Sequence, residues 1–225
     1  VVVIGSGVVG AAIARDLAGT RNSVAILDSR DDVGEGTTKA NTAILHTGYD
    51  ATPGTLEARL VTRGYALLRE YCAATNIGVR DVGAVLVAWD ADQATSLPGL
   101  RAKAEANGYY RAEIVGPEAV YEQLPHLGPG VTGGLVVPDE SVIDAWSVPL
   151  ALATEASLRG AALLREHRVT GIAVGAEFTT VRTNQGTLTA KWVVNAAGLG
   201  ADDIDAMFGF DRLQVYPRKG ELLVF

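Results

Sequence analysis

The chain opens on Val1-Val2-Val3-Ile4, a β-branched apolar run closed by Gly5, the pattern of a strand buried on both faces of a parallel sheet. Val9, Ala12, Ile13 and Leu17 then recur at helical spacing as far as Gly19, and residues 23–27 form a second apolar run. Strand, helix and strand within 28 residues predict a right-handed crossover between parallel strands, hence a doubly wound α/β sheet. From Asp31 to Pro53 the pattern dissolves into Gly, Thr and Asn, a long irregular stretch of the kind that compact domains keep for function. Leu56, Leu60, Leu67, Leu68 and Tyr71 mark an amphipathic helix, with Pro53 near its start and Gly78 past its end. Residues 83–89 read as a strand, 91–107 as a helix, and 112–115 and 133–138 as extended. Helical spacing returns over 150–164, and 169–174, 178–183 and 187–195 read as strands. The last of them runs into Ala196-Ala197-Gly198 and a helix, and 221–225 again reads as a strand.

The α/β pattern is interrupted near Gly78 and resumes near Ala145. Two discontinuous domains follow: 1–78 with 145–210, and 79–144 with 211–225. The chain starts without Met inside an apolar run and stops inside another, so a fragment truncated at the C-terminus is expected.

With 225 residues, 48% hydrophobic and 20% charged, the composition is that of a globular chain and argues against a disordered polymer or a nucleic-acid binder. The net charge of −7 and pI near 5.0 still permit one local anion pocket. Glycine accounts for 26 residues, above the usual share of about 7%. Cys72 is the only cysteine, which excludes an intrachain disulfide and a thiol-built zinc or iron–sulfur site. No metal site is expected. No apolar stretch reaches the roughly 20 residues of a membrane span, so a cytoplasmic protein is expected, with peripheral membrane contact as an allowed variant.

Gly5-Ser6-Gly7-Val8-Val9-Gly10 follows a buried strand and opens a helix, and Asp28 stands at the end of the second strand. In that context Gly5 allows the tight turn, Gly7 lets a pyrophosphate reach the backbone, Gly10 lets helix and sheet approach, and the free N–H groups of the helix start hold the anion. Asp28 would accept hydrogen bonds from the adenosine ribose. This fingerprint serves NAD or FAD. Residues 34–48 add hydroxyls, amides and small residues just beyond the acidic strand end, suited to lie beside an extended dinucleotide or to form an ordinary polar loop.

Taken in order, Gly5-x-Gly7-x-x-Gly10, Asp28, Gly36-Thr37-Thr38-x-x-Asn41-Thr42-Ala43-x-x-His46-x-Gly48, Pro53-Gly54-Thr55-Leu56, Val137-Pro138-Asp139, Asn195-Ala196-Ala197-Gly198 and Pro217-Arg218-Lys219-Gly220 resemble the D-amino-acid-oxidase superfamily of FAD-dependent oxidoreductases. Within it the chain is most similar to the branch of anaerobic-type glycerol-3-phosphate dehydrogenases and L-2-hydroxyglutarate oxidases. The resemblance implies a glutathione-reductase-like FAD/NAD(P)-binding Rossmann domain interleaved with an α+β substrate domain. It places the pyrophosphate at Gly5, Ser6, Gly7 and Gly10 and the ribose at Asp28. Thr37, Thr38, Asn41 and Thr42 would line the phosphates and ribityl chain. Ala43, Leu45 and His46 would lie toward the isoalloxazine, Val169 would offer backbone atoms to adenine, and Ala196, Ala197 and Gly198 would make a second phosphate contact.

Beside a flavin, His46 could serve as a general base, a donor to the ring, a covalent attachment point or a satisfied buried histidine. Tyr49 and Lys219 are the other catalytic candidates, and Arg218 or Lys219 could hold a carboxylate or phosphate or be solvated charge. His126, His167 and the three tryptophans read as structural. The expected activity is FAD-dependent oxidation of a small anionic hydroxy substrate, glycerol 3-phosphate or a 2-hydroxy acid, with a quinone, another carrier or oxygen as electron acceptor. An amine or amino-acid oxidase, an NAD-dependent dehydrogenase and a nucleotide-binding fragment that lacks activity without further chain are the rival readings.

Overall fold

The computed structural model describes residues 1–221, so the strand expected over 221–225 lies, beyond Glu221, outside the described residues. In chain order the first elements are β1 (Val2–Ile4), α1 (Val8–Ala18), β2 (Ala25–Leu27), β3 (Ile44–Leu45), α2 (Leu56–Thr75), β4 (Val79–Asp81) and β5 (Ala84–Ala88). They are followed by α3 (Ala91–Ala106), β6 (Glu113–Val115), α4 (Pro117–Gln123), β7 (Gly133–Val137) and β8 (Ser141–Ile143). The remainder is α5 (Ser147–Leu158), β9 (Ala162–Leu164), β10 (Val169–Val174), β11 (Thr179–Thr183), β12 (Gly186–Ala190), β13 (Val193–Asn195) and α6 (Ala201–Met207). Two compact units result: residues 1–42 with the chain from 145 onward, and residues 43–144.

The first unit is built on a parallel sheet of order β13-β1-β2-β9. Successive side chains of a strand point to opposite faces, and β1 buries both. Val3 joins Ile26, Ala14, Ala18 and Ala156 beneath α1 and α5. Val2 and Ile4 join Leu27, Val169, Val181, Ala190 and Ile204 on the other face. That second face is covered by the antiparallel meander β10-β11-β12 and by α6 rather than by helices alone, as a doubly wound sheet would have it. Alanines at the α1–α5 contact let the helices approach closely, and Arg15 Nε bonds Glu155 Oε2 at 2.6 Å along it. Residues 211–221 belong to this unit, where Arg212 Nη2 pairs with the buried Asp205 at 2.6 Å.

The second unit holds two antiparallel sheets, β3-β8-β4 and β5-β7-β6. Leu135 and Val137 of β7 pack with Ala88 of the neighbouring strand β5 and with Leu97, Ala104 and Ala112, so α3 closes over the centre of the second sheet. Asp90 caps α3 by accepting the Gln93 N–H at 2.7 Å, and Thr55 caps α2 by accepting the Ala58 N–H at 3.2 Å, each satisfying one orphan donor of a first turn. The boundary expected at Gly78 falls inside this unit, because β3 pairs with β8, which also pairs with β4.

Several local expectations are corrected. Residues 150–164 are not one helix: α5 stops at Leu158, Gly160 turns at φ 94°, and Ala162–Leu164 joins β2 as an edge strand. Residues 187–195 are not one strand, because β12 pairs antiparallel with β11 and β13 pairs parallel with β1. Helix α2 ends at Asn76, which adopts the left-handed conformation at φ 56°, before Gly78. The apolar face read on α2 is not a buried one: Leu56, Leu60 and Leu67 are each more than half exposed, whereas Ala58 and Cys72 are buried. No helix among the described residues is long and apolar enough to cross a membrane.

Leu135 is fully buried at the centre of the second unit, whereas Leu158 is 82% exposed. Truncation of a buried leucine loses its transfer energy and leaves a cavity. Leu135→Ala is therefore expected to lower unfolding stability by about 2–5 kcal/mol and Leu158→Ala by less than about 0.5 kcal/mol, both measured by denaturant titration.

Candidate functional site

The turn after β1 is where three strands of the first unit meet. Gly5 sits at φ 103° and donates its N–H to Leu27 O of β2 at 2.7 Å. The Ala196 N–H, just past β13, bonds Ile4 O at 2.9 Å. A β-carbon on residue 5 would stand 2.3 Å from Ala196 O, and one on residue 10 would stand 1.9 Å from Gly5 O. Both distances are impossible for a side chain, so the glycines are required by backbone contact. Helix α1 starts at Gly7 with no cap from its own side chains and no acidic residue in its first turn, leaving main-chain N–H groups for an anion. Thr38 Oγ1 accepts the Val8 N–H at 3.1 Å.

Asp28, Ser6 and residues 34–41 surround that helix start. Asp28 Oδ2 accepts from the Ser6 N–H at 2.7 Å and from the Ser6 hydroxyl at 2.6 Å, and Oδ1 accepts the Arg30 N–H at 2.9 Å. Ser6 is fully buried; its hydroxyl orients Asp28. The loop is held to the turn by the Gly34 N–H on Ser6 O at 3.2 Å. Asn41 Nδ2 closes the loop on itself by donating to Thr37 O and Thr38 O at 2.9 and 2.8 Å. Lys39 pins it further through Asp32 at 2.9 Å and Glu35 at 3.0 Å. Thr37 and Thr42 are exposed. The Ala197 N–H donates to Asn195 Oδ1 at 3.3 Å, and Gly198 turns at φ 57°. Val169 is buried in β10 against Val2 and Ile4.

Within the second unit, Ala43 takes a left-handed conformation at φ 56°, and β3 carries the buried Leu45 into His46. Glu140, in the turn between β7 and β8, is 2% exposed. Its Oε1 accepts from the Thr47 N–H at 2.7 Å and the Thr47 hydroxyl at 2.8 Å, and its Oε2 faces His46 Nδ1 at 2.9 Å. Burial works to raise the Glu140 pKa, but the hydrogen bonds from His46 and Thr47 together leave it below the ordinary carboxylate value. The hydrogen bond to Glu140 raises the His46 pKa above its ordinary value, against a smaller effect of burial, with the charges of Glu140 and Asp50 adding to the rise. Burial raises the Tyr49 pKa. Asn107, at the end of α3, donates from Nδ2 to Gly48 O at 3.0 Å, Tyr49 O at 3.3 Å and Ala51 O at 2.7 Å, which fixes the loop that follows His46.

Gly5, Ser6, Gly7, Gly10, Asp28, Thr38, Ala196 and Ala197 are thus gathered at one turn of the first unit, and His46 and Tyr49 on one segment of the second. Lys219 belongs to the first unit, where its ammonium pairs with Glu221 at 3.1 Å and is 85% exposed. Sequence reasoning missed Glu140, Thr47 and Asn107. The acidic pair Asp139-Glu140 between the apolar runs 135–137 and 142–143 was the available signal for Glu140. Among the described residues no group of three or more His, Cys, Asp or Glu is placed to hold a metal ion.

A parallel βαβ turn with its glycines in backbone contact, a helix start open to an anion and a carboxylate on the next strand define a dinucleotide-binding protein of the Rossmann class. The family model described as DAO, FAD dependent oxidoreductase, matches residues 1–225, and the chain belongs to that family. A glycerol 3-phosphate dehydrogenase of Caloramator mitchellensis is 35% identical over 98% of this chain and 46% of its own length. The mitochondrial L-2-hydroxyglutarate dehydrogenase of Mus musculus is 26% identical over 98% of this chain and 50% of its own. The solved L-alpha-glycerophosphate oxidase of Mycoplasma pneumoniae with FAD bound shares the fold at a TM-score of 0.85 and 22% identity, covering 92% of this chain and 56% of that one. The chain spans about half the length of the curated relatives it matches.

The opposed shifts at Glu140 and His46 set a pH window. A depressed carboxylate stabilises the fold above its unfolded value near 4.5 and loses that contribution as pH falls through its folded pKa. A raised histidine stabilises the fold below its unfolded value near 6.5 and loses that contribution as pH rises through its folded pKa. The stability advantage of the native protein over the Glu140→Gln variant is expected to be greatest between pH 4.5 and 6.5, checked by urea unfolding across that range and on both sides of it.

Proposed function

We propose that the intact protein is a FAD-dependent oxidoreductase that oxidises a small anionic hydroxy substrate, glycerol 3-phosphate or a 2-hydroxy acid such as L-2-hydroxyglutarate. Its family and the likeness to a glycerol 3-phosphate dehydrogenase at 35% identity support that reading. The observation that carries the cofactor assignment is the glycine turn at α1, whose backbone leaves room for no β-carbon at residues 5 and 10 and whose helix start has no acidic residue in its first turn. The donor set fits a dinucleotide: main-chain N–H groups for the pyrophosphate and an oriented carboxylate at Asp28 for the ribose.

In this reading the glycine turn of the first unit carries the cofactor. When bound, FAD would supply the acceptor for the hydride, which carries both electrons of the oxidation. Gly5, Gly7 and Gly10 bring main chain to the pyrophosphate, with Ala196, Ala197 and Gly198 as a second contact. Ser6 holds the Asp28 carboxylate in place. Thr37, Thr38, Asn41 and Thr42 flank the phosphates and ribityl chain, Val169 offers backbone to adenine, and Ala43 and Leu45 approach the ring system. His46 acts on the hydroxyl proton, with Tyr49 beside it. Lys219 serves as a cation for the anionic group of the substrate. The final electron acceptor in this reading would be a quinone, another carrier or oxygen.

The protein as isolated with its cofactor is expected to show a flavin absorption spectrum that bleaches anaerobically with glycerol 3-phosphate or L-2-hydroxyglutarate. Bleaching only by an amino acid such as glycine would reject the hydroxy substrate. Asp28→Ala removes a charged acceptor, a loss of about 1.5–3 kcal/mol, and should weaken FAD retention by about 10- to 100-fold in an ultrafiltration assay.

A further inference from the structure

We propose that Glu140 is the positioning residue for His46: by accepting Nδ1–H it leaves Nε2 as the nitrogen that takes the hydroxyl proton of the substrate. The inference rests on the reading of His46 as the group that meets the substrate, and it selects the base from among the roles open to that histidine.

The geometry is specific. A buried carboxylate is costly unless its lone pairs are met by donors, and the donors supplied to Glu140 by Thr47 both converge on Oε1. Oε2 is therefore left to face His46 Nδ1 at 2.9 Å. A carboxylate only accepts, so Nδ1 carries a hydrogen in the neutral ring as well as in the charged one. The neutral ring then has its lone pair on Nε2. The His46 side chain is 49% exposed whereas that of Glu140 is 3% exposed, so the imidazole stands between a buried carboxylate and open space. Asp50 is the other charged group that acts on the ring, and Tyr49 lies next to it in the chain. The loop that carries both is held by Asn107, which keeps His46 in register with Glu140.

The step balances as follows. With FAD bound as the two-electron acceptor, the substrate O–H bond would break with its proton passing to His46 Nε2, the carbinol hydrogen would leave as hydride, and the C–O bond would become C=O. The substrate is oxidised by two electrons, and the charge that appears on the imidazole is met by Glu140. This is the division of labour between an orienting carboxylate and a histidine base seen in hydrolytic triads, arrived at here with a buried glutamate from the turn between β7 and β8.

The chain contains three histidines, so imidazole nitrogen resonances in a 15N NMR titration of the full chain are assignable with a single His46→Asn variant. The neutral His46 ring is expected as the Nδ1–H tautomer, with a pKa above the ordinary 6.5. In Glu140→Gln the amide can still accept from Thr47 through its oxygen but presents N–H to Nδ1. The ring should then switch to the Nε2–H tautomer and its pKa should fall. In the FAD-loaded protein, kcat for glycerol 3-phosphate or L-2-hydroxyglutarate should drop by about 100-fold or more with KM little changed, and the acid limb of kcat/KM should move to lower pH. An Nε2–H tautomer in the native protein overturns the proposal without any variant, which keeps it testable even if Glu140→Gln does not fold. If His46→Asn keeps full turnover, the reading of His46 as the base fails and the proposal falls with it. If His46→Asn loses turnover while Glu140→Gln keeps both rate and pH profile, the role of Glu140 alone is rejected.

Discussion

Three pieces of backbone converge at Gly5, and the first unit is organised around the fact that nothing but backbone fits there. The Ala196 carbonyl occupies space a β-carbon on residue 5 would need, and the Gly5 carbonyl does the same to residue 10. This forces α1 down onto the sheet and holds the end of β13 beside the end of β1, which fixes the order β13-β1-β2 at the point where a dinucleotide is bound in such sheets. The same contact explains the alternation in β1: with a helix pressed on one face and the meander β10-β11-β12 on the other, both sets of side chains must be apolar. Asp28 then lies one strand away, close enough for Ser6 in the turn to take its carboxylate.

The second unit meets a different constraint. Its strands are two to five residues long, too short to hold a loop in place through ladder bonds alone, and the segment after β3 is fixed by side chains instead. Glu140 takes both donors of Thr47, and Asn107 reaches the carbonyl groups of Gly48, Tyr49 and Ala51 in the loop beyond. Burying a carboxylate costs free energy that its hydrogen bonds offset, and the pairing with His46 leaves the two groups shifted in opposite directions. The segment that carries His46 is therefore held by side-chain hydrogen bonds, at a location where the sheet itself supplies little.

What could be read in the sequence follows from this contrast. The β1–α1–β2 unit was legible because its glycines, its apolar runs and Asp28 all lie within 28 residues and report one local geometry. Strand β9 was absorbed into a helix because Ala162-Leu163-Leu164 continues the apolar spacing of α5, and only its pairing with β2, far away in sequence, distinguishes it. The run 187–195 hid a change of sheet for the same reason. Ser6 was read as a phosphate contact, although its hydroxyl turns to Asp28, 22 residues away. Glu140 was invisible because its partner Thr47 is 93 residues off, and no spacing rule reaches that far.

The two units thus record chemistry in different alphabets. In the first, recognition is carried by main-chain N–H groups and carbonyls whose arrangement depends on the absence of side chains, so it survives wide change elsewhere and identifies a cofactor class from a few glycines. In the second, the environment of His46 is set by side chains brought together from separate strands and turns, so a single exchange at Glu140 or Asn107 alters it without touching the glycine turn. Relatives that keep the first can therefore differ in the second. This is a physical reason why the glycine turn that marks the family does not by itself fix the surroundings of His46, which depend on contacts between the short strands and turns of the second unit.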